Sequence, residues 1–185
     1  TIADAKRADI GNTSVQYAKA YFKHFEFDSV TIAPYMGKDS VEPFLSYEKK
    51  HTILLALTSN EGASDFQLLK TEGKHLYEKV IEQSKKWKNA DRLMYVVGAT
   101  KAQALQKIRT LIPNSFLLIP GVGVQGGSLE EVAINGLNET CGLLVNSSRG
   151  IIYASNKSDF DQAAGEVSRG LQQRMAIHLR QKGII

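Results

Sequence analysis

The chain has 185 residues, of which 43% are hydrophobic and 23% charged, and its formal net charge is +4 at pH 7. This length and balance suit one globular domain and exclude a disordered or fibrous protein. Lysine and arginine are dispersed instead of forming the basic stripe of a nucleic-acid-binding protein, and the apolar runs are too short to span a bilayer.

The cysteine content bears on the compartment. Cys141 is the only cysteine, which excludes an intrachain disulfide framework and a cysteine-based metal site. The apolar residues 142–145 after it predict a buried strand, so we expect a core thiol. The first residues do not have the pattern of a signal peptide, and we expect a cytoplasmic protein.

The first ten residues predict a strand that ends in charged side chains. Residues 1–6 suit a strand, in which side chains two apart share a face, so Asp4 and Lys6 point the same way. Asp9 follows just before a predicted helix. Charges at the C-terminal end of a strand are typical of catalytic sites in β/α proteins, and the alternative is a solvated strand end.

Six apolar strands alternate with helices along the chain, without strand hairpins. The strands are predicted over residues 1–6, 29–33, 52–57, 93–97, 116–119 and 142–145. The helices are predicted over residues 14–25, 40–49, 74–86, 101–111, after the capping box Ser128-x-x-Glu131, and over residues 159–180. This alternation indicates parallel strands in a doubly wound sheet or a β/α barrel. A barrel needs eight strands, so six leave an open sheet or a barrel lacking its first quarter.

Two early loops follow strands and are rich in turn-forming or polar residues. Residues 34–39, Pro-Tyr-Met-Gly-Lys-Asp, form either a lid or a simple connection. Residues 58–63, Thr-Ser-Asn-Glu-Gly-Ala, offer small polar groups able to hydrogen-bond a heterocycle, or else form an ordinary helix-capping turn.

The loop after the fifth strand is rich in glycine. Gly121, Gly123 and Gly126 satisfy the G-x-G-x-x-G pattern, but a dinucleotide site carries it on the first βα turn, so we discount NAD and FAD. Glycines let backbone amides approach an oxyanion, and Gln125 adds a side-chain amide.

Arg149 follows the sixth strand in the segment Asn-Ser-Ser-Arg-Gly, residues 146–150. Phosphate sites of β/α barrels often combine the loops after the last two strands, while the alternative for Arg149 is a surface ion pair.

The residues therefore predict an enzyme for a phosphorylated small molecule, with Asp4, Lys6 and Asp9 as reactive groups. The four histidines fall away from the strand ends, and we assign them no catalysis.

The segment 4–13, Asp-Ala-Lys-Arg-Ala-Asp-Ile-Gly-Asn-Thr, is similar to the D-x-K-x-x-D signature of orotidine 5′-phosphate decarboxylases. Residues 34–37, 58–60, 120–127 and 148–150 also resemble that family, especially its longer bacterial subgroup. The resemblance implies a (β/α)8 TIM barrel in one domain over residues 1–185, with about six βα units starting at the third strand. It also implies that an N-terminal part of the barrel, with an aspartate that binds the ribose and a further lysine, is missing from this sequence.

The resemblance implies decarboxylation of orotidine 5′-monophosphate to uridine 5′-monophosphate in pyrimidine synthesis, without metal or organic cofactor. Lys6 would match the lysine that protonates C6 of the pyrimidine, and Asp4 the carboxylate that faces the substrate's own. In a homodimer, three further residues would contact the active site of the neighbouring subunit: Asp9, Ile10 and Thr13.

The remaining residues implied by the resemblance bind substrate. Ser59 would match the serine that contacts the pyrimidine. Gln125 and Arg149 would grip the 5′-phosphate. Three more would surround it: Pro120, Gly123 and Ser148.

Two other functions stay open. A magnesium-dependent sugar-phosphate decarboxylase or aldolase of the same superfamily shares the D-x-K-x-x-D signature but arranges the acids around the metal. A non-catalytic fragment would only hold a nucleotide through Gln125 and Arg149.

Overall fold

The structure, a computed structural model, describes residues 1–123 and 126–185, which form two compact units, Thr1–Val96 and Val97–Ile185. One domain over the whole chain stays a prediction. Within the described residues, none of the helices is long and apolar enough to cross a membrane.

The first unit contains the first six strands, except for the last residue of the sixth, and four α-helices. Its strands are β1 (Ile2–Arg7), β2 (Ser29–Ile32), β3 (His51–Leu57), β4 (Lys70–Thr71), β5 (Lys74–His75) and β6 (Leu93–Val97). Its α-helices are α1 (Gly11–Lys19), α2 (Lys38–Leu45), α3 (Ala63–Phe66) and α4 (Leu76–Ser84), and α1 continues as a π-helix, Ala20–His24. A 3₁₀ turn, Ala90–Arg92, precedes β6. The order β1-β2-β3-β6 places β2 between β1 and β3, and both of these pairs are parallel.

The core of the first unit is built on strands that are buried on both faces. All residues of β2 and of β6 are buried. In β6 this burial matches a continuous apolar run, whereas β2 also buries the hydroxyl groups of Ser29 and Thr31. Tyr95 lies fully buried in β6, and its hydroxyl is 2.9 Å from Ser84 Oγ. Burial raises the pKa of Tyr95.

The prediction that the chain has no strand hairpin is wrong. Strands β4 and β5 pair antiparallel around a two-residue turn, Glu72 and Gly73. Both turn residues have positive φ angles, 51° and 77°, as tight hairpin turns require. These strands are polar, so they lack the apolar alternation by which strands are recognised in a sequence.

The second unit contains two parallel strands and four α-helices. A 3₁₀ turn, Ala99–Lys101, leads into α5 (Ala102–Leu111), followed by β7 (Leu117–Pro120), α6 (Leu129–Gly136), β8 (Leu143–Asn146), α7 (Arg149–Ile152) and α8 (Phe160–Gln181). Ser128 caps α6 as predicted, because its Oγ accepts the N–H of Glu131 at 3.2 Å.

Cys141 is not the core thiol that the sequence predicted. It is only partly buried, and it lies in the turn before β8 with a φ angle of 77°. Because β8 begins at Leu143, Cys141 occupies the approach to the strand and not its interior. The prediction of a buried strand is also wrong in part, since Leu143 is the one buried residue of β8 and Leu144 is exposed.

A partly buried arginine ties together the loops of the second unit. Arg109 of α5 donates to four carbonyl oxygens, at distances of 2.6 to 3.1 Å. The acceptors belong to Ile112, Ser115, Gly136 and Gly142. Burial lowers the pKa of Arg109 to about 10, so the guanidinium stays charged at neutral pH. It therefore joins the ends of α5 and α6 to the start of β8.

Arg109→Met should lower the free energy of unfolding by about 3–5 kcal/mol, because four carbonyls lose a charged donor. Chemical denaturation measures this change. Arg174→Met is the matched control, since Arg174 forms an exposed pair with Glu130 and its loss should cost no more than about 0.5 kcal/mol. Equal losses in the two variants would contradict the role of Arg109.

Candidate functional site

Strand β1 departs from regular pairing where its charged residues lie. Ala3 pairs with Val30, but the next pairing joins Arg7 to Ile32, so β1 has two more residues than β2 in this interval. Lys6 lies within this bulge and has a φ angle of 47°, in the left-handed region that a residue with a Cβ rarely adopts. Bulges redirect side chains, and this one carries both Asp4 and Lys6.

Asp4 and Lys6 form an ion pair at the surface of the bulge. The Lys6 ammonium donates to both carboxylate oxygens of Asp4 at 2.7 Å, which confirms that the two side chains point the same way. The Lys6 side chain is 54% exposed and that of Asp4 61%, so both groups remain open to a ligand. The charged end of β1 is therefore exposed to solvent, as the alternative interpretation expected, and the charges of Asp4 and Lys6 also pair with each other.

Thr31 of β2 is a site residue that the sequence analysis missed. It is fully buried, and its Oγ1 accepts the N–H of Lys6 at 2.9 Å and donates to Asp4 Oδ1 at 3.0 Å. One signal could have found it, since most buried hydroxyl groups have a hydrogen-bond partner and Thr31 lies in the middle of a predicted strand.

The residues after β1 do not join the Asp4–Lys6 pair. In the described part of the chain, Asp9 has no ion pair with Lys6, and its Oδ1 accepts the N–H of Ile10 at 2.8 Å. Ile10 is exposed and precedes α1, and Thr13 is exposed in the first turn of that helix. Their roles stay predictions.

Ser59 lies two residues beyond β3 and is partly buried. Beside it, the Thr58 hydroxyl and the Gln67 side chain form a hydrogen bond of 2.8 Å. The Asn60 carbonyl accepts the N–H of Ala63 at 3.2 Å at the start of α3, so this segment also serves as the turn that begins a helix. In the loop after β2, Tyr35 is 88% exposed.

The second unit brings together the two loops from which the phosphate site was predicted. Pro120 and Asn146 pair at the C-terminal ends of β7 and β8, so the loops after these strands start side by side. A Cβ built on Gly123 would lie 3.7 Å from Ser147 Oγ, which places the glycine loop against the other loop. Gln125, predicted to bind phosphate, lies outside the described residues.

Backbone conformation explains the glycines of this loop. Gly121, Gly123 and Gly126 have φ angles of 95°, 91° and 86°. At Gly127 a Cβ would lie 2.3 Å from the Ala99 Cβ and 2.7 Å from the Gly121 carbonyl oxygen, so only glycine fits. The loop thus follows a path that side chains would block.

Ser148 and Arg149 are exposed at the start of α7. The Ser148 hydroxyl donates to Asn146 Oδ1 at 3.2 Å. Over residues 1–123 and 126–185 no carboxylate forms an ion pair with Arg149, so the surface ion pair considered for it does not occur there. An exposed guanidinium beside a glycine loop is suited to an anion.

Residues 1–162 match the family described as Orotidine 5′-phosphate decarboxylase / HUMPS. The chain belongs to this family. The orotidine 5′-phosphate decarboxylase of Christiangramia forsetii is 65% identical over 97% of this chain and 66% of its own length, and that of Porphyromonas gingivalis is 56% identical over 100% and 67%. The Leishmania donovani OMP decarboxylase structure has a TM-score of 0.81 and 36% identity, over 94% of this chain and 68% of that one.

These similarities confirm the predicted fold class, an α/β fold of the (β/α)8 barrel type of which this chain supplies about six βα units. The chain spans about two thirds of the length of its relatives in the family. Within the described residues, no group of three or more histidine, cysteine, aspartate or glutamate side chains is arranged to hold a metal ion.

The left-handed backbone of Lys6 predicts an unusual order of stability. Lys6→Gly should be more stable than Lys6→Ala by about 1 kcal/mol, because glycine adopts a positive φ without the Cβ clash. Thermal unfolding of the two variants tests this. Ala5→Gly, next to it in β1 and with an ordinary φ, should instead lose about 0.5–1 kcal/mol. An alanine at position 6 as stable as glycine would contradict the strain.

Gly127→Ala should destabilise the protein by about 1–3 kcal/mol, because the added methyl group meets Ala99 and the Gly121 carbonyl. Urea unfolding gives the difference. Gly170→Ala in α8 is the control, since a Cβ there meets nothing within 4 Å, and it should raise stability by about 0.5–1 kcal/mol. A neutral Gly127→Ala would show that the loop can move aside.

Proposed function

We propose that this chain belongs to an enzyme that decarboxylates orotidine 5′-monophosphate to uridine 5′-monophosphate, the last step of de novo pyrimidine synthesis. The observation that carries the proposal is the exposed Asp4–Lys6 pair, with both contacts at 2.7 Å, in a member of this family. Relatives that are 56% and 65% identical are named orotidine 5′-phosphate decarboxylases, which supports the same activity here.

Lys6 supplies the charge that the reaction needs. Loss of carbon dioxide leaves a carbanion at C6 of the pyrimidine, and an ammonium fixed beside it stabilises the developing negative charge. The same group then delivers a proton to C6. No cofactor takes part in this scheme.

Asp4 holds the ammonium ready before the substrate arrives. Its two oxygens accept from Lys6, so the ammonium does not have to reorganise from free rotation during the reaction. Asp4 also faces the carboxylate that leaves as carbon dioxide, and Ser59 contacts the pyrimidine.

The loops of the second unit bind the 5′-phosphate. Arg149 and Gln125 supply side chains, and Gly123 and Ser148 lie in the surrounding backbone, with Pro120 at the start of the loop. Because the phosphate does not react, its binding energy can be used to orient the ring and to close the site.

We also propose that the working unit is a homodimer in the cytoplasm. Asp9, Ile10 and Thr13 would contact the active site of the neighbouring subunit, and the exposure of Ile10 and Thr13 at the start of α1 supports this. The small-molecule partner is the nucleotide substrate.

The deciding experiment follows the absorbance of orotidine monophosphate with the purified protein, with and without EDTA. Turnover should survive EDTA, and Lys6→Ala should reduce it on the order of 10³-fold, because the proton donor is removed. Turnover lost in EDTA would favour the magnesium-dependent sugar-phosphate chemistry. Binding of uridine monophosphate without turnover would favour the non-catalytic alternative and contradict the proposal.

Arg149→Ala should lower kcat/KM for orotidine monophosphate by about 10- to 100-fold, because a charged hydrogen-bond donor to the phosphate is lost. Steady-state kinetics measures this. Arg169→Ala, an exposed arginine of α8, should leave the kinetics unchanged. Unchanged kinetics in Arg149→Ala would remove Arg149 from the phosphate site.

A further inference from the structure

We propose that Thr31 is a positioning residue, which holds the Lys6 ammonium and the Asp4 carboxylate in their reactive arrangement. The inference rests on the proposed function for its catalytic consequence. Its structural part rests on one buried oxygen that is hydrogen-bonded to both residues of the pair.

The first contact fixes the backbone of Lys6. Regular pairing between β1 and β2 is interrupted from Ala3 to Arg7, and in this interval the N–H of Lys6 donates to Thr31 Oγ1 at 2.9 Å. A positive φ costs a residue with a Cβ about 1–2 kcal/mol and persists only where its surroundings enforce it. The Thr31 hydroxyl is one such constraint.

The second contact orients the carboxylate. A hydroxyl has one proton, and two acceptors lie near Thr31 Oγ1: Asp4 Oδ1 at 3.0 Å and the Ala3 carbonyl oxygen at 3.5 Å. The nearer acceptor is also the charged one, so the proton points to Asp4. Lys6 N–H, Thr31 hydroxyl, Asp4 carboxylate and Lys6 ammonium then form a closed ring of hydrogen bonds.

Burial makes Thr31 the rigid member of this ring. Asp4 and Lys6 are more than half exposed, and exposed ion pairs are weakly held because both side chains retain much freedom. Thr31 has no exposed surface, its branched side chain is stiff at χ1, and its strand pairs with Ile53 of β3 on the other side. The ring of hydrogen bonds therefore restricts the motion of Asp4 and Lys6, because it links both exposed side chains to a residue buried in the sheet.

Thr31→Val tests the role, because valine has nearly the same shape and lacks the hydroxyl. Thr31→Ser keeps the hydroxyl and should restore function. Thr52→Val is the matched control: Thr52 is buried in β3, and in the described part of the chain its Oγ1 has no hydrogen-bond partner. Should Thr31→Val fail to fold, Thr31→Ala replaces it.

Kinetics give the first readout. Thr31→Val should lower kcat on the order of 100-fold, since misplacement of a reactive group by about 1 Å has an effect of that size. The affinity for uridine monophosphate, which lacks the carboxylate, should stay within about twofold, and Thr31→Ser and Thr52→Val should stay near the wild type. In a folded variant, equal losses of kcat and of the affinity for uridine monophosphate would overturn the positioning role.

Hydrogen exchange at the Lys6 amide gives a second readout that does not need turnover. Exchange should be at least about tenfold faster in Thr31→Val and unchanged in Thr31→Ser and Thr52→Val. If the wild-type protein is active and Thr31→Val is equally active, the inference is overturned and the proposed function stays intact. If the wild-type protein is inactive but exchange at the Lys6 amide still depends on Thr31, the proposed function is contradicted, and Thr31 remains the residue that orders the Asp4–Lys6 pair.

Discussion

The irregular pairing of β1 with β2 is the constraint on which the candidate site depends. A regular strand would place Asp4 and Lys6 on one face but would leave their tips free in solvent. The bulge turns the backbone at Lys6 into a left-handed conformation, and both contacts to Thr31 become available as a result. Two exposed charges are thereby ordered without being buried, which avoids the large desolvation cost of buried ions.

The second unit carries the loops that we propose to bind the phosphate. Parallel pairing brings the ends of β7 and β8 together, and glycines at positive φ let the first loop fold against the second. At the other ends of these strands, Arg109 bonds four carbonyls, one of them in the residue just before β8. It therefore orders the segments that lead into β7 and β8.

Each unit contains one position where most residue types would be disfavoured. Lys6 and Gly127 occupy positions where an ordinary residue is disfavoured, by backbone conformation in one case and by close packing in the other. Such positions persist because surrounding contacts enforce them, and they are common at functional sites. Thr31 constrains the Lys6 backbone, whereas Ala99 and the Gly121 carbonyl leave no room for a side chain at Gly127.

The alternation of apolar strands and helices was enough to predict the parallel α/β fold, because the periodicity of apolar residues can be recognised within short segments of the sequence. The two-residue spacing of Asp4 and Lys6 in a predicted strand likewise predicted that their side chains share a direction. The hairpin of β4 and β5 escaped prediction because its strands are polar, and the core position expected of Cys141 was wrong because the turn before β8 removes it from the strand. Only the tertiary structure revealed the bulge and the role of Thr31, since register between strands 25 residues apart is decided by packing and not by local pattern.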